Sequence, residues 1–286
     1  MPGTMEGRVV TSEKAISMRE EILQYYSSGV ETYRLERESS QLEKIRTQEI
    51  ILRYIGESPV RILDVGGGAG VYSYWLKQLG HEVHLVDPSP VNLENAETKG
   101  KEIGLKLDSA HLGLADKIPQ PSESFDVVLF LGPLYHLTEK EERIIALKEA
   151  SRVLKKGGII FTAAISRYAS LFDGFTRDLV ADSLFLPILR QDLINGQHRN
   201  DTNNFEYFTT AFFHHPTELK DEMLEAGFKL KEILPVESFG WLVPGFAKKW
   251  KDENYRQLLL DTIKTVEKDE SLLGISAHLL GVGANE

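Results

Sequence analysis

The sequence predicts an α/β fold: a doubly wound, mostly parallel sheet of seven strands. Three observations carry this. Short apolar runs at 61–65, 83–86, 125–131 and 159–165 read as strands buried on both faces. Segments with helix start and stop signals separate them, so strand and helix alternate. A glycine run, Gly66-Gly67-Gly68-Ala69-Gly70, stands directly between the first strand and the next helix.

The elements follow in order. The first forty residues are polar and read as partly helical. A helix begins at Ser40, where Ser40-Gln41-Leu42-Glu43 has the pattern of a capping box. Leu42, Ile45, Ile50, Leu52 and Ile55 form its apolar face, and Gly56 and Pro59 end it. The strand over 61–65 comes next, then the glycine run and a helix to about Leu79, with Gly80 beyond it. Strand 83–86 leads into Asp87-Pro88 and a helix opened by Ser89 as N-cap and Pro90 at its first position. A weaker strand lies near 109–114. After the strand over 125–131, Thr138 and Glu141 mark a helix that ends near Lys155 and Lys156, before Gly157-Gly158. The fifth strand covers 159–165. The stretch 167–215 breaks the alternation and is long for a connection. A helix over 216–226, a strand over 228–236, a helix over 253–268 and a short strand over 278–282 complete the pattern.

Composition bounds the function. The 286 residues suffice for one elaborated domain or for two of about 150 residues each. The strand pattern favours one domain. Residues 1–44 form an N-terminal cap, 45–166 a ligand-binding core, 167–215 an inserted lid and 216–286 the second half of the sheet. There is no cysteine, which excludes a disulfide framework, a thiolate metal site and a cysteine nucleophile. Forty-three acidic against 33 basic side chains give a net charge of −10, which argues against a nucleic-acid partner. No run approaches the roughly 18 apolar residues of a membrane span, and the first ten residues lack the apolar segment of a signal peptide. The expected setting is cytoplasmic, away from the membrane. The adjacent pair His214-His215 is poorly spaced to chelate one ion, and no metal site is expected.

The chemistry centres on the glycine run. Glycines allow a tight turn and a close approach of backbone to ligand, at the positive end of the following helix. Asp87 ends the next strand, where a carboxylate can accept the ribose hydroxyls of a nucleoside. A dinucleotide fingerprint needs glycine at its first, third and sixth positions, but the sixth here is Val71. The spacing is instead Gly66, Gly68, Gly70, with Asp64 two residues before. Ligands of open α/β sheets bind at the carboxyl ends of the strands. The segment after the fourth strand, 131–137, should therefore face the reacting group. His136 is the candidate base or acceptor-orienting group, because an imidazole titrates near neutrality; a structural histidine near Thr138 is the competing reading. Tyr135 is equally placed. The aromatic-rich stretch 167–215 reads as a lid over a water-poor pocket or as a helical subdomain packed on itself. One of His214 and His215, or His198, could supply a second acceptor-side histidine.

Asp64-x-Gly-x-Gly-x-Gly70 resembles the first motif of the class I S-adenosylmethionine-dependent methyltransferases. The resemblance continues through Asp87, through 115–119 and 124–128, and through 149–158. Its closest flavour is the small-molecule enzyme of ubiquinone and menaquinone biosynthesis. It implies a Rossmann-like sheet with an antiparallel last strand. It also implies S-adenosylmethionine as cofactor and S-adenosylhomocysteine as product, with a small organic molecule as acceptor. On this resemblance Asp64, Gly66, Gly67, Gly68 and Gly70 bind the cofactor, with backbone groups near Gly66 and Gly68 holding its methionine portion, and Asp87 with Pro88 meets the ribose. Ala115 and Asp116 flank the adenine, although Leu114 stands where the family often has an acid. Phe130, Leu131 and Gly132 line the path to the sulfonium. Tyr25 and Tyr33, with Tyr26 between, are candidates to fold over the cofactor. A nicotinamide-dependent oxidoreductase and a non-catalytic cofactor-binding protein are the alternatives on the same fold.

Overall fold

A computed structural model of the chain describes residues 34–202 and 204–286. The candidates Tyr25, Tyr26 and Tyr33 lie outside the described residues. Helix α1 (Gln41–Ile55) leads into β1 (Arg61–Val65), α2 (Val71–Gln78), β2 (Glu82–Asp87), α3 (Pro90–Ile103) and β3 (Ser109–Leu112). Then come β4 (Phe125–Phe130), the short α4 (Pro133–His136), α5 (Lys140–Val153) and β5 (Leu154–Ser166). The insertion holds α6 (Ala169–Thr176), α7 (Phe185–Asn195), β6 (Gln197–His198) and β7 (Ala211–His214). Helix α8 (Pro216–Glu225), β8 (Phe228–Pro235), α9 (Phe246–Trp250), α10 (Glu253–Val266) and β9 (His278–Asn285) close the order.

Five strands run parallel in the order β3-β2-β1-β4-β5. Strand β9 pairs antiparallel with β5 on its other edge, and β8 pairs antiparallel with β9. These are the seven expected strands, with the last one reversed. Two more were not expected. Strand β4 stops at Phe130, opposite Thr162, and β7 takes over the freed edge of β5 at Ile165 and Ser166. Strand β6 then pairs antiparallel with β7. Four-residue β7 is too short for its period to stand out in an aromatic-rich segment.

Strand alternation sends side chains to two cores. Leu63, Val65, Val128 and Phe130 face α5 and α8, whereas Ile62, Val127, Leu129 and Phe161 face α1, α2 and α3. Several local expectations need correction. Ser40 makes no side-chain cap bond, because it ends a 3-10 turn (Glu38–Ser40) that runs straight into the helix, and the Glu43 side chain turns to Arg34. Leu52 is exposed and Ile51 takes its place in the core. Helix α5 starts one residue later than read, with Glu139 as N-cap, and gives way to β5 at Leu154. Four residues, Lys155 to Gly158, bulge out of the β4–β5 pairing. The Ser89 cap holds: its hydroxyl accepts from the Asn92 amide at 3.3 Å.

Candidate active site

The glycine loop is tied to β2 rather than left free. The Gly66 N–H donates to the Val86 carbonyl at 2.7 Å, and the Gly68 N–H to Asp87 Oδ2 at 2.9 Å. The Gly70 N–H closes the turn onto Gly67. So these three amides hold the loop and do not point at a ligand. Gly67 is needed for space: a Cβ there would lie 2.4 Å from Asp64 Oδ2 and 2.6 Å from Leu85 Cδ1. Gly66 is needed for conformation, with φ of 70° and Pro133 packed against it.

Asp64 is buried behind the loop and accepts the Ser73 hydroxyl at 2.6 Å. Burial pushes its carboxyl up to about 7, helped by the charge of Asp87 and opposed by Ser73. Asp87 is buried as well. Its Oδ1 accepts from the Ser89 amide at 2.9 Å and from Asn92 Nδ2 at 3.0 Å. Burial raises its pKa against those bonds and the one from Gly68. With Gly68 on Oδ2, three of about four acceptor positions on a carboxylate are filled, leaving about one for a ligand.

These groups open onto one cavity of about 470 Å³, a size that suits a small-molecule site. Asp64, Gly66, Gly67, Gly68, Asp87, Pro88, Ala115, Asp116, Leu131, Gly132, Tyr135 and His136 all line it. Gly70 does not; with φ of 75° it forms the turn into α2. Phe130 does not, because the last residue of β4 points into the core and is fully buried. His214 does not either. Strand β7 sends it toward α8, where its Nε2 lies 3.2 Å from Glu222 and burial lowers its pKa despite that carboxylate. His198 is taken up inside the insertion, between Asp192 at 2.9 Å and the Tyr207 carbonyl at 2.7 Å.

Among the described residues, the insertion supplies none of the lining. It backs the wall instead. The Tyr135 and His136 rings meet edge-on at 4.6 Å, and Phe208 stacks on His136 at 6.1 Å. Burial lowers the His136 pKa to about 4, against a hydrogen bond with the Thr210 backbone, so the ring is neutral at physiological pH. The remaining wall is largely apolar, including Leu137, Ala163, Val236 and Leu280.

Sequence reasoning missed one side of the cavity: Arg34, Glu43, Thr47, Tyr72 and His278. Among the described residues, Glu43, Glu237 and His278 form a group whose ligand-type atoms lie within 4.8 Å of one another. A signal for His278 did exist. An antiparallel strand beside parallel ones begins at their carboxyl edge, and His278 is the first residue of β9, opposite Ile165. No described helix is long and apolar enough to cross a membrane.

Comparison with known proteins agrees with this layout. Residues 63–162 match the family described as "Methyltransferase domain". The "Ubiquinone biosynthesis O-methyltransferase" of Azorhizobium caulinodans is 26% identical over 221 residues, covering 73% of this chain and 77% of that one. The "Ubiquinone/menaquinone biosynthesis C-methyltransferase UbiE" of Laribacter hongkongensis is 31% identical over 174 residues, 59% of this chain and 67% of that one. A solved methyltransferase from Methanosarcina mazei superposes with a TM-score of 0.56 at 19% identity, over 82% of this chain and 96% of that one. The matched segment runs from β1 to β5, the strands whose ends carry the glycine loop, Asp87 and His136. On these grounds the chain belongs to the class I S-adenosylmethionine-dependent methyltransferases.

Proposed function

We propose that the chain methylates a small, largely apolar organic molecule held beside Tyr135 and His136, with the cofactor's nucleoside between Asp87 and Asp116. The observation that carries this is the shared cavity: the glycine loop, Asp87 and the Tyr135–His136 wall all line it. When bound, S-adenosylmethionine supplies a methyl group already activated by positive sulfur. The protein therefore has little new charge to stabilise. Its work is alignment and exclusion of water. Asp87 accepts a ribose hydroxyl at its remaining position. The rigid loop, held to β2 by Gly66 and Gly68, fixes where the cofactor lies. The apolar wall keeps water from the acceptor. A ring nitrogen of the neutral His136 takes the proton that an O–H or N–H acceptor gives up. The relatives named for ubiquinone and menaquinone biosynthesis support an aromatic acceptor of quinol type. The acidic balance of the chain supports a small molecule over a nucleic acid, and a cytoplasmic setting belongs to the same reading.

Calorimetry with S-adenosylhomocysteine tests the cofactor half. Asp87→Ala should weaken binding by about 1–3 kcal/mol through lost charge-assisted hydrogen bonds. NAD should give no heat. Unchanged affinity in the variant would remove Asp87 from the site.

A further inference from the structure

One pole of the cavity is charged and has no part in the reading above. Glu237, just after β8, holds His278. Its Oε1 meets His278 Nδ1 at 2.5 Å, and its Oε2 accepts the His278 backbone N–H at 3.0 Å and the Ser276 hydroxyl at 2.9 Å. Glu43 is paired through both oxygens with Arg34, one contact at 2.8 Å, and lies 4.0 Å from His278 Nδ1. Both carboxylates are thus spent on partners, and with His278 charged the four groups sum to zero. That is a poor cage for a metal ion and a firm mount for an imidazole.

Burial opposes a charge on His278, yet Glu237 and Glu43 outweigh it and hold the pKa up to about 9. The ring is cationic at neutral pH. Its Nδ1 faces Glu237, and among the described residues no hydrogen bond reaches Nε2. The side chain is 22% exposed and lines the cavity, so Nε2–H is the donor it offers to a ligand. Only β5 stands between β4 and β9. Phe130 lies opposite Thr162 and His278 opposite Ile165, so the two backbones are two strand spacings apart across the sheet and three residues apart along it, about 14 Å. His278, Tyr135 and His136 line the same cavity, so the span between them is open to the acceptor.

We propose that Nε2–H of His278 anchors a second, ionised oxygen of the methyl acceptor, a carboxylate carried on an aromatic ring, at the end of the ring away from the atom that receives the methyl. This rests on the methyltransferase site proposed above. Glu237 is the positioning residue: it occupies Nδ1, fixes the ring's orientation and keeps the donor edge toward the cavity. Tyr135 and His136 supply the aromatic wall along which such a ring would lie.

The test is calorimetry on the full chain saturated with S-adenosylhomocysteine. The probes are para-methoxybenzoate and para-methoxybenzyl alcohol, which share ring and methyl ether and differ in the ionised group. The benzoate should bind about tenfold more tightly than the alcohol. His278→Gln should abolish that preference while S-adenosylhomocysteine affinity stays within about twofold. In the unaltered protein, the preference should fade as pH rises through about 9, a readout that needs no variant. Equal affinity of the two probes, or no binding of either at millimolar concentration, overturns the proposal. So does a preference that survives in His278→Gln. A large loss of S-adenosylhomocysteine affinity in that variant would move His278 to the cofactor side and overturn it too. Failure of the unaltered protein to bind S-adenosylhomocysteine would instead bring down the cofactor reading itself.

Discussion

His136 and His278 are two imidazoles on one cavity with opposite fates. Burial without a carboxylate partner drives His136 down to about 4. Two carboxylates hold His278 up at about 9. A base that is always neutral near pH 7 is available in every molecule but pulls weakly on a proton. His136 should therefore give a pH–rate profile that is flat from about pH 6 to 8 and falls only as pH drops through about 4, where the ring takes a proton. His136→Ala should lower kcat by about a hundredfold or more and leave S-adenosylhomocysteine affinity nearly unchanged. An acid limb near the ordinary histidine value, or a variant that loses cofactor affinity instead of turnover, would reassign it. His136 was legible because it follows a strand in an α/β pattern, and strand ends of that kind collect ligands. His278 was passed over because a single histidine opening a weak terminal strand looks like any other, although an antiparallel last strand already turns that opening toward the site. Phe130 failed for the complementary reason: its neighbours Leu131 and Gly132 line the cavity, but one step along a strand reverses the face.

At the scale of elements, the parallel core was readable because its strands are continuous apolar runs punctuated by glycine and capped helices. The β6–β7 ladder was hidden because its strands have two and four residues. The contacts that seat β7 come from charges far apart in sequence. Arg143 on α5 forks onto both oxygens of Glu222 on α8 at 2.7–3.0 Å, donates to the Leu137 and Thr138 carbonyls, and lies over the Phe212 ring at 3.7 Å. Glu222 in turn faces His214. Both members of the pair are about 2% exposed. Removing one of them leaves a charge buried without its partner, a cost of about 3–5 kcal/mol. Arg143→Met alone should thus lower the urea midpoint sharply. Arg143→Met with Glu222→Met should recover most of the loss, since two apolar side chains can fill the same space. A double variant no more stable than the single one would mean that the bonds to Leu137 and Thr138, not the ion pair, hold the junction.

The whole molecule is closed by the Arg34–Glu43–His278–Glu237 group, which joins the chain before and within α1 to the start of the last strand. Residues near both ends of the described chain thus meet across the mouth of the sheet, and this should be visible in how stability depends on pH. Burial would raise the Glu43 carboxyl, but Arg34 and His278 hold it down to about 2. A lowered carboxyl contributes stability above its unfolded value of 4.5 and loses it as pH falls toward 2. His278 works the other way: raised to about 9, it contributes fully below its unfolded value of 6.5 and loses that contribution as pH rises through 9. The group as a whole is therefore worth most between about pH 4.5 and 6.5. Asp64, raised by burial to about 7, adds its own slope across the neutral range, so the raw curve mixes several groups. Differences between proteins separate them. Urea midpoints measured from about pH 3 to 10 should show His278→Gln less stable by about 1–3 kcal/mol in the plateau, with the gap closing above pH 9. Glu43→Gln should show a gap that closes toward pH 2 instead. If either gap were independent of pH, the interaction lost would be packing rather than charge, and α1 would be tied to β9 by the apolar contacts around Val236 and Leu280 alone.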